Sequence, residues 1–270
     1  MPQAVAPTIA AALASQAIRE CRGAARSLTD TKDRHRGIHE TRKALRRLKS
    51  LLSIGTEPFA NALPELEATI GRLAVGLSPL RDAQVAVNIA RALAGPGPSA
   101  EWRTAIRALE NRSEGRLAAA LQKDPRFLKR RRQLRELAES IEALPWRQVR
   151  RGTVEHALAR SERRVAKAHK RVSNDPSPAN LHRWRRRARR LRMQLELWRK
   201  ILKVTGKPSH HQARHDKSAA HAMSKLSDAL GVKQDLRALR VALRSLGQPE
   251  TVAPLLEQIR HELKKHRKVD

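Results

Sequence analysis

The 270-residue chain is long enough for one large domain or two smaller ones, and its 40% hydrophobic content argues against disorder throughout. Its 57 Lys and Arg residues against 26 Asp and Glu residues give a net charge of +31. Because self-repulsion at this level destabilises a compact state, the charge predicts a polyanionic partner or abundant counterions. Nucleic acid, inorganic polyphosphate, anionic lipid and an acidic protein all meet this requirement.

Three further features narrow the class of protein. The single cysteine, Cys21, excludes an internal disulfide and a multi-cysteine metal site, and it fits a reducing compartment. Four Trp, two Phe and no Tyr leave few rings for stacking on bases, which lowers the expectation of base recognition. The chain starts without a basic region and a long apolar core, and no run approaches the ~20 apolar residues of a membrane span. The sequence therefore predicts a soluble, cytoplasmic protein.

Helical periodicity runs through the first half of the chain. A helix is predicted over 7–28, and the segment 29–37 breaks it. The next helix, from residue 38 to about 54, places Leu45, Leu48, Leu51 and Leu52 opposite a broad cationic face. Pro79 predicts a kink or a break in the third helix, which spans 64–93. After the loop GPGPS at 95–99, two more helices are predicted over about 100–122 and 126–143.

The second half is also helical in pattern. Helices are predicted over 148–172 and 180–204, from the end of a His-rich connection at 205–216 to about 245, and from Pro254 to the charged tail. No alternating apolar and polar run of strand length occurs. The predicted fold class is therefore all-α.

The cationic helix of the first half has a copy in the second half. When 38–52 is placed above 181–195, an offset of 143, six of the 15 positions are identical, including a histidine and two leucines. A later match, Leu73, Leu77 and Asp82 with Leu226, Leu230 and Asp235, has an offset of 153. The two matches predict a duplicated helical bundle with pseudo-twofold symmetry, one repeat over 7–144 and the other over 146–270.

At these residues the chain resembles the CHAD domain family, the conserved histidine α-helical domains. The family pattern is H-x-x-R-[KR]-x-x-[KR]-[KR], then L-x-x-x-L-[GS]-x-x-[RQ]-D, and both again in a second half. The matching residues are His39, Arg42, Lys43, Arg46, Arg47, Leu77, Ser78, Arg81 and Asp82 in the first copy, and His182, Arg185, Arg186, Arg189, Arg190, Leu230, Gly231, Gln234 and Asp235 in the second. The copies differ where Ser78 is matched by Gly231 and Arg81 by Gln234.

The resemblance covers nearly the whole chain and implies a single domain over 7–270. It implies two antiparallel helical bundles around a basic cleft or pore that binds inorganic polyphosphate, often at bacterial polyphosphate granules. Many relatives are fused to a triphosphate-tunnel domain marked by E-x-E-x-K, and no such motif occurs in this sequence. The chain is therefore expected to be a stand-alone binding module.

The residues of the two cationic helices suit this ligand. Polyphosphate has about one charge per phosphate and no base edges, so it is bound by repeated charge-assisted hydrogen bonds without sequence readout. Arginine forks and lysine charges at i, i+3, i+4 and i+7 provide such donors. The predicted polyphosphate-binding residues are His39, Arg42, Lys43, Arg46, Arg47, Lys49, His182, Arg185, Arg186, Arg189, Arg190 and Arg192. A merely solvated helix face is the rival interpretation.

Several residues keep two interpretations. His39 and His182 either contact phosphate, which should raise their pKa, or hydrogen-bond to backbone as helix caps. Asp82 and Asp235 are expected to pair with arginines of neighbouring helices. The basic residues of the preceding helices either line the other wall of the cleft or form a solvated face; they are Arg19, Arg22 and Arg26 in the first half and Arg163, Arg164, Lys167 and Lys170 in the second.

Metal binding and catalysis have little support in the sequence. His211 and His215 have metal-ligand spacing beside His210, Asp216 and His221, but they fall in the inserted connection, so a surface loop is favoured. No carboxylate cluster, Gly-rich phosphate loop or activated nucleophile is recognisable. The first hypothesis is a non-enzymatic polyphosphate-binding protein without a cofactor. The alternatives are a nucleic-acid backbone binder and a polyphosphate-processing enzyme.

Overall fold

The computed structural model describes residues 6–206, 210–247 and 249–265. These residues form helices and no strand, which confirms the all-α prediction. Short 3₁₀ turns lie at Ser53–Gly55, Pro125–Phe127 and Trp146–Gln148. The ten α-helices of this described part are α1 (Ile9–Ser27), α2 (Arg34–Leu52), α3 (Leu63–Gly76), α4 (Ser78–Ala94), α5 (Ala100–Lys123), α6 (Leu128–Glu142), α7 (Arg151–Asn174), α8 (Pro178–Val204), α9 (His210–Arg244) and α10 (Pro249–Lys265).

Local signals account for most helix ends in the first half. Asp33 accepts a hydrogen bond from the Arg36 backbone N–H at 2.8 Å, so it caps α2, and the helix begins four residues earlier than predicted. The break at Pro79 is confirmed: α3 ends at Gly76, and Pro79 is the second residue of α4, where a missing N–H removes no helical bond. The loop over 95–99 is also confirmed, and Gly95 ends α4 with a positive φ of 67°.

Two predicted boundaries in the second half are wrong. The His-rich segment was expected to be a connection up to residue 216, but α9 begins at His210. The last helix was expected to begin at Pro254, but α10 begins at Pro249 and includes Pro254. Val252, Leu255 and Ile259 of α10 are buried in a core, and this packing outweighs the one backbone hydrogen bond that an internal proline removes.

The buried side chains form two cores, and each core takes helices from both halves of the sequence. The first core joins α1, α2, α3 and α6 to α7 and α8, and it contains the four predicted leucines of α2. The second core joins α4 and α5 to α9 and α10, for example through Val87, Trp102 and Leu239. Neither half therefore has a core of its own, and the division into repeats at 7–144 and 146–270 stays a prediction.

The two cationic helices, α2 and α8, contact each other directly. At this contact Ser50 Oγ lies 3.6 Å from Met193 Sδ, and these two residues are equivalent at the repeat offset of 143. Beside them Gln194 Nε2 donates to Ser53 Oγ at 2.9 Å. The contact brings the cationic faces of both helices to the same region of the molecule.

Candidate anion-binding cavity

An open cavity of about 730 Å³ lies where α2, α7 and α8 meet. Eight Arg or Lys side chains and one histidine line it, and no carboxylate is among the lining residues. These residues are Arg46, Lys49, Ser50, Ser161, Arg164, Ala179, His182, Arg183, Arg186, Arg187, Arg189, Arg190 and Met193. A pocket with this lining attracts anions and offers many N–H donors.

The turn between α7 and α8 determines how their cations meet. Asp175 accepts hydrogen bonds from the Ser177 backbone at 3.1 Å and from Asn180 Nδ2 at 2.7 Å. These bonds fold the chain back, so that α8 packs along α7. As a result Arg187 Nη1 donates to the Arg164 carbonyl oxygen at 3.0 Å, and both side chains border the cavity.

The positive charges in the cavity are only partly compensated, by carboxylates outside its lining such as Glu67, which lies 3.9 Å from Lys49. Burial, together with repulsion by Arg189 and Arg42, lowers the pKa of Arg46 to about 10. Burial also lowers the pKa of Arg190; Glu67 opposes this shift, and Arg164 adds to it. Both guanidinium groups remain charged near neutral pH, so an anion that entered would relieve repulsion already present in the folded protein.

Six of the predicted site residues line this cavity: Arg46, Lys49, His182, Arg186, Arg189 and Arg190. Arg164, expected on the opposite wall, also lines it. Arg183 and Arg187 line it too but were outside the family pattern. Helical spacing could have predicted them. Arg183 lies three residues before Arg186 and four before Arg187, and Arg187 lies three residues before Arg190, so these side chains are neighbours on the surface of α8.

Four other predicted residues use their guanidinium groups to hold helices together. Arg42 donates to the Ala74 carbonyl oxygen and to Ser78 Oγ, which joins α2 to the α3–α4 junction. Arg185 donates to Gln234 of α9. Arg192 donates to Ser224 Oγ at 3.1 Å. Arg47 donates to Glu20 Oε2 of α1 at 2.9 Å.

The bond from Arg185 explains the difference between the two motif copies. In the first copy Ser78 supplies a hydroxyl acceptor for Arg42. In the second copy Gly231 has no side chain, and Gln234, in the place of Arg81, accepts from Arg185 instead. Each motif therefore ties its cationic helix to the next helix, with a different acceptor in each copy.

The two motif aspartates influence the pKa of arginines on neighbouring helices, and their pairing with these arginines stays a prediction. The charge of Asp82 on α4 favours the charged form of Arg42 on α2 and opposes the lowering of its pKa by burial. Burial raises the pKa of Asp235 on α9, and Arg185, Arg189 and Arg81 oppose that shift. Asp235 also opposes the lowering of the Arg189 pKa, although neither aspartate lines the cavity.

Neither motif histidine caps its helix, because the caps are Asp33 for α2 and Ser177 for α8. His182 is exposed and lines the cavity, so its contact with an anion stays a prediction. His39 does not line it. The Nδ1 atom of His39 is buried with no hydrogen-bond partner in the described structure, and burial and Arg81 lower the pKa of the ring.

The remaining predicted binding residues lie elsewhere. Lys43 is 3.6 Å from Glu40 on its own helix and does not line the cavity. The basic residues of α1 and two of those on α7 are exposed outside it: Arg19, Arg22, Arg26, Arg163 and Lys167. A cavity wall takes side chains from one face of each helix, and these residues lie on other faces.

The described residues show neither a metal-binding cluster nor a membrane-spanning helix. These residues contain no group of three His, Cys, Asp or Glu side chains able to hold a metal ion. The side chains of His210, His211, His215 and Asp216 lie outside the described ones, although their backbone is helical. Among the helices that the structure describes, none is long and apolar enough to cross a membrane.

The helices and the cationic cavity define an all-α protein with a basic pocket between packed helices. The family model of the CHAD domain matches residues 11–244, and the chain belongs to this family. The crystal structure of the CHAD domain from the plant Ricinus communis superposes with a TM-score of 0.69 at 18% sequence identity, covering 99% of this chain and 89% of that chain. At this identity the likeness establishes the fold. No curated protein matches the chain by sequence.

Proposed function

We propose that this protein binds inorganic polyphosphate, without catalysis, in the cavity between α2, α7 and α8. The observation that carries the proposal is the convergence of eight Arg or Lys side chains in one pocket that no carboxylate lines. A flexible chain of phosphates with no base edges can be bound by bidentate arginine guanidinium groups and by lysine ammonium groups, without shape-specific contacts. The open shape of the cavity suits a ligand that passes along it.

The proposal includes the arrangement of the two repeats. A pseudo-twofold axis near the contact of Ser50 with Met193 would relate α2 to α8, because these residues are repeat equivalents. Arg46 and Arg189 are equivalents at the same offset and lie close enough to repel. The two bundles of the single domain, 7–270, would then surround a basic cleft that includes this cavity.

The lining residues favour binding over catalysis. They include no carboxylate that could hold a divalent cation at a phosphate. Ser50 Oγ donates to the Arg46 carbonyl oxygen at 2.9 Å, so this hydroxyl is engaged in its own helix and has no base beside it. A cationic pocket of this composition holds a phosphate chain and does not activate a nucleophile.

Competition binding tests the ligand. A labelled polyphosphate is bound first, and long polyphosphate, duplex DNA and RNA are titrated at equal total charge. We expect polyphosphate to displace the label at lower charge concentration than either nucleic acid. Equal displacement would support the nucleic-acid backbone binder instead. Release of inorganic phosphate in the presence of Mg²⁺ would support a processing enzyme.

The proposed ligand implies a location, polyphosphate granules in the cytoplasm. A fluorescent fusion of the full chain should coincide with granules stained for polyphosphate. The fusion should disperse in cells that make no polyphosphate. A distribution that follows the nucleoid in both kinds of cell would contradict this location.

A further inference from the structure

Helices α1 and α7 hold equivalent places in the two repeats. Both pack beside the cationic helix that follows them, α2 and α8 respectively. Five buried positions coincide at an offset of 144, because Leu13, Ala17, Cys21, Ala24 and Leu28 match Ala157, Ser161, Val165, Ala168 and Val172. In this register Glu20 is the counterpart of Arg164. In the register of the motif helices, Arg47 is the counterpart of Arg190.

The two equivalent pairs of residues differ in charge: Glu20 and Arg47 have opposite charges, whereas Arg164 and Arg190 are both positive. In the first repeat Arg47 Nε donates to Glu20 Oε2 at 2.9 Å, and the Glu20 side chain is only 10% exposed. In the second repeat Arg164 and Arg190 line the same cavity; burial and the charge of Arg164 lower the pKa of Arg190, and Glu67 of α3 opposes this shift. An ion pair in one repeat is therefore a pair of like charges in the other.

Each pair borders a cavity, and the two cavities differ in charge as the pairs do. The cavity beside Glu20 has a volume of about 390 Å³ and is lined by two carboxylates and two cations: Glu20, Glu196, Arg47 and Lys200. Its polar groups are already bonded to one another. Gln16 donates to Glu20 at 2.7 Å, and Lys200 donates to Gln16 at 2.9 Å. The cavity beside Arg164 has eight cations and no carboxylate.

We infer that Glu20 determines where a polyanion binds: it neutralises the first-repeat cavity, which lies beside α1, so of these two cavities only the second-repeat cavity, between α2, α7 and α8, binds a polyanion. The inference rests on the proposed function. An anion that entered the first-repeat cavity would meet Glu20 and Glu196 and would have to displace the Glu20–Arg47 ion pair. In the second-repeat cavity it would meet only cations among the charged groups.

Titration calorimetry with tripolyphosphate, a ligand short enough for a single cavity, tests the inference. The wild-type chain should bind one tripolyphosphate. The variant Glu20→Arg, which copies the second repeat, should bind a second one. Glu20→Gln keeps the size of the side chain and releases Arg47, so it should add a weaker second site even where the arginine variant fails to fold. Circular dichroism verifies folding of both variants.

The matched controls are Glu136→Arg and Glu136→Gln, the same charge changes at an exposed position of α6 that borders neither cavity. They should leave the stoichiometry unchanged. Folded Glu20 variants that still bind one ligand would overturn the inference, as would a wild-type chain that binds two. If the wild-type chain bound neither tripolyphosphate nor any longer polyphosphate chain, the proposed function itself would be overturned.

Discussion

Replacement of Arg186 by Ala is the sharpest test of the cavity. Arg186 is exposed on α8 and lines the cavity, so its removal takes away an anion contact without opening a hole in either core. Arg46 and Arg189 lie deeper and repel each other, and changes there would alter stability as well as binding. The Arg186→Ala variant therefore separates the two effects.

The expected loss follows from one charge-assisted hydrogen bond. Such bonds contribute ~1.5–3 kcal/mol, and the lower end applies to an exposed side chain. A loss of about 1.4 kcal/mol corresponds to a tenfold increase in Kd. Removal of one phosphate contact should also reduce the slope of log affinity against log salt by about 0.7.

Fluorescence anisotropy of labelled polyphosphate over a series of NaCl concentrations measures both quantities. The matched control is Arg132→Ala, the same change at an exposed position of α6 that does not border the cavity. It should change Kd much less than Arg186→Ala does. Equal losses in the two variants would refute the reasoning, because bulk charge alone would then account for binding.

Two further substitutions and one labelling experiment have defined outcomes. Arg46→Met should stabilise the ligand-free protein by about 1–2 kcal/mol in urea unfolding at pH 7 while weakening polyphosphate binding, because it removes a buried charge among like charges. Because the pKa of Arg46 in the folded protein is lowered to about 10, this increase in the free energy of unfolding should be complete below pH 10 and should shrink as the pH rises towards 12.5. An increase that stays constant over that range would contradict the prediction. Cys21, whose pKa burial raises to about 12, should react with an aromatic disulfide reagent only after unfolding, and rapid reaction of the native protein would contradict its burial. Leu239→Ala should lower the free energy of unfolding by about 3 kcal/mol, and a loss below about 1 kcal/mol would count against a packed second core.

Whether an arginine joins two helices or lines the cavity depends on the hydrogen-bond acceptors near its guanidinium group. Arg42 finds an acceptor at the start of α4, Arg185 finds one within α9, and both residues join neighbouring helices. Arg186 and Arg190 lie on the face of α8 that lines the cavity, where no carboxylate is among the lining residues. The family motif therefore contains both structural and candidate binding arginines.

The sequence alone determined the helices, the break at Pro79 and the loop over 95–99. These features depend on local chemistry: helical periodicity, the missing N–H of proline and the conformational freedom of glycine. The burial of the leucines of α2 followed in the same way, because an amphipathic helix has one face to bury. Local signals failed at Pro254, where packing outweighs one lost hydrogen bond.

Only the tertiary structure decided which cations share a cavity and which are bonded within the protein. Arg47 and Arg190 occupy the same motif position, and the sequence of their helices does not distinguish them. Arg47 donates to Glu20 of α1, whereas Arg190 lines a cavity together with Arg164 of α7. The difference arises because the charge environment of a side chain is determined by neighbouring helices that are distant in sequence.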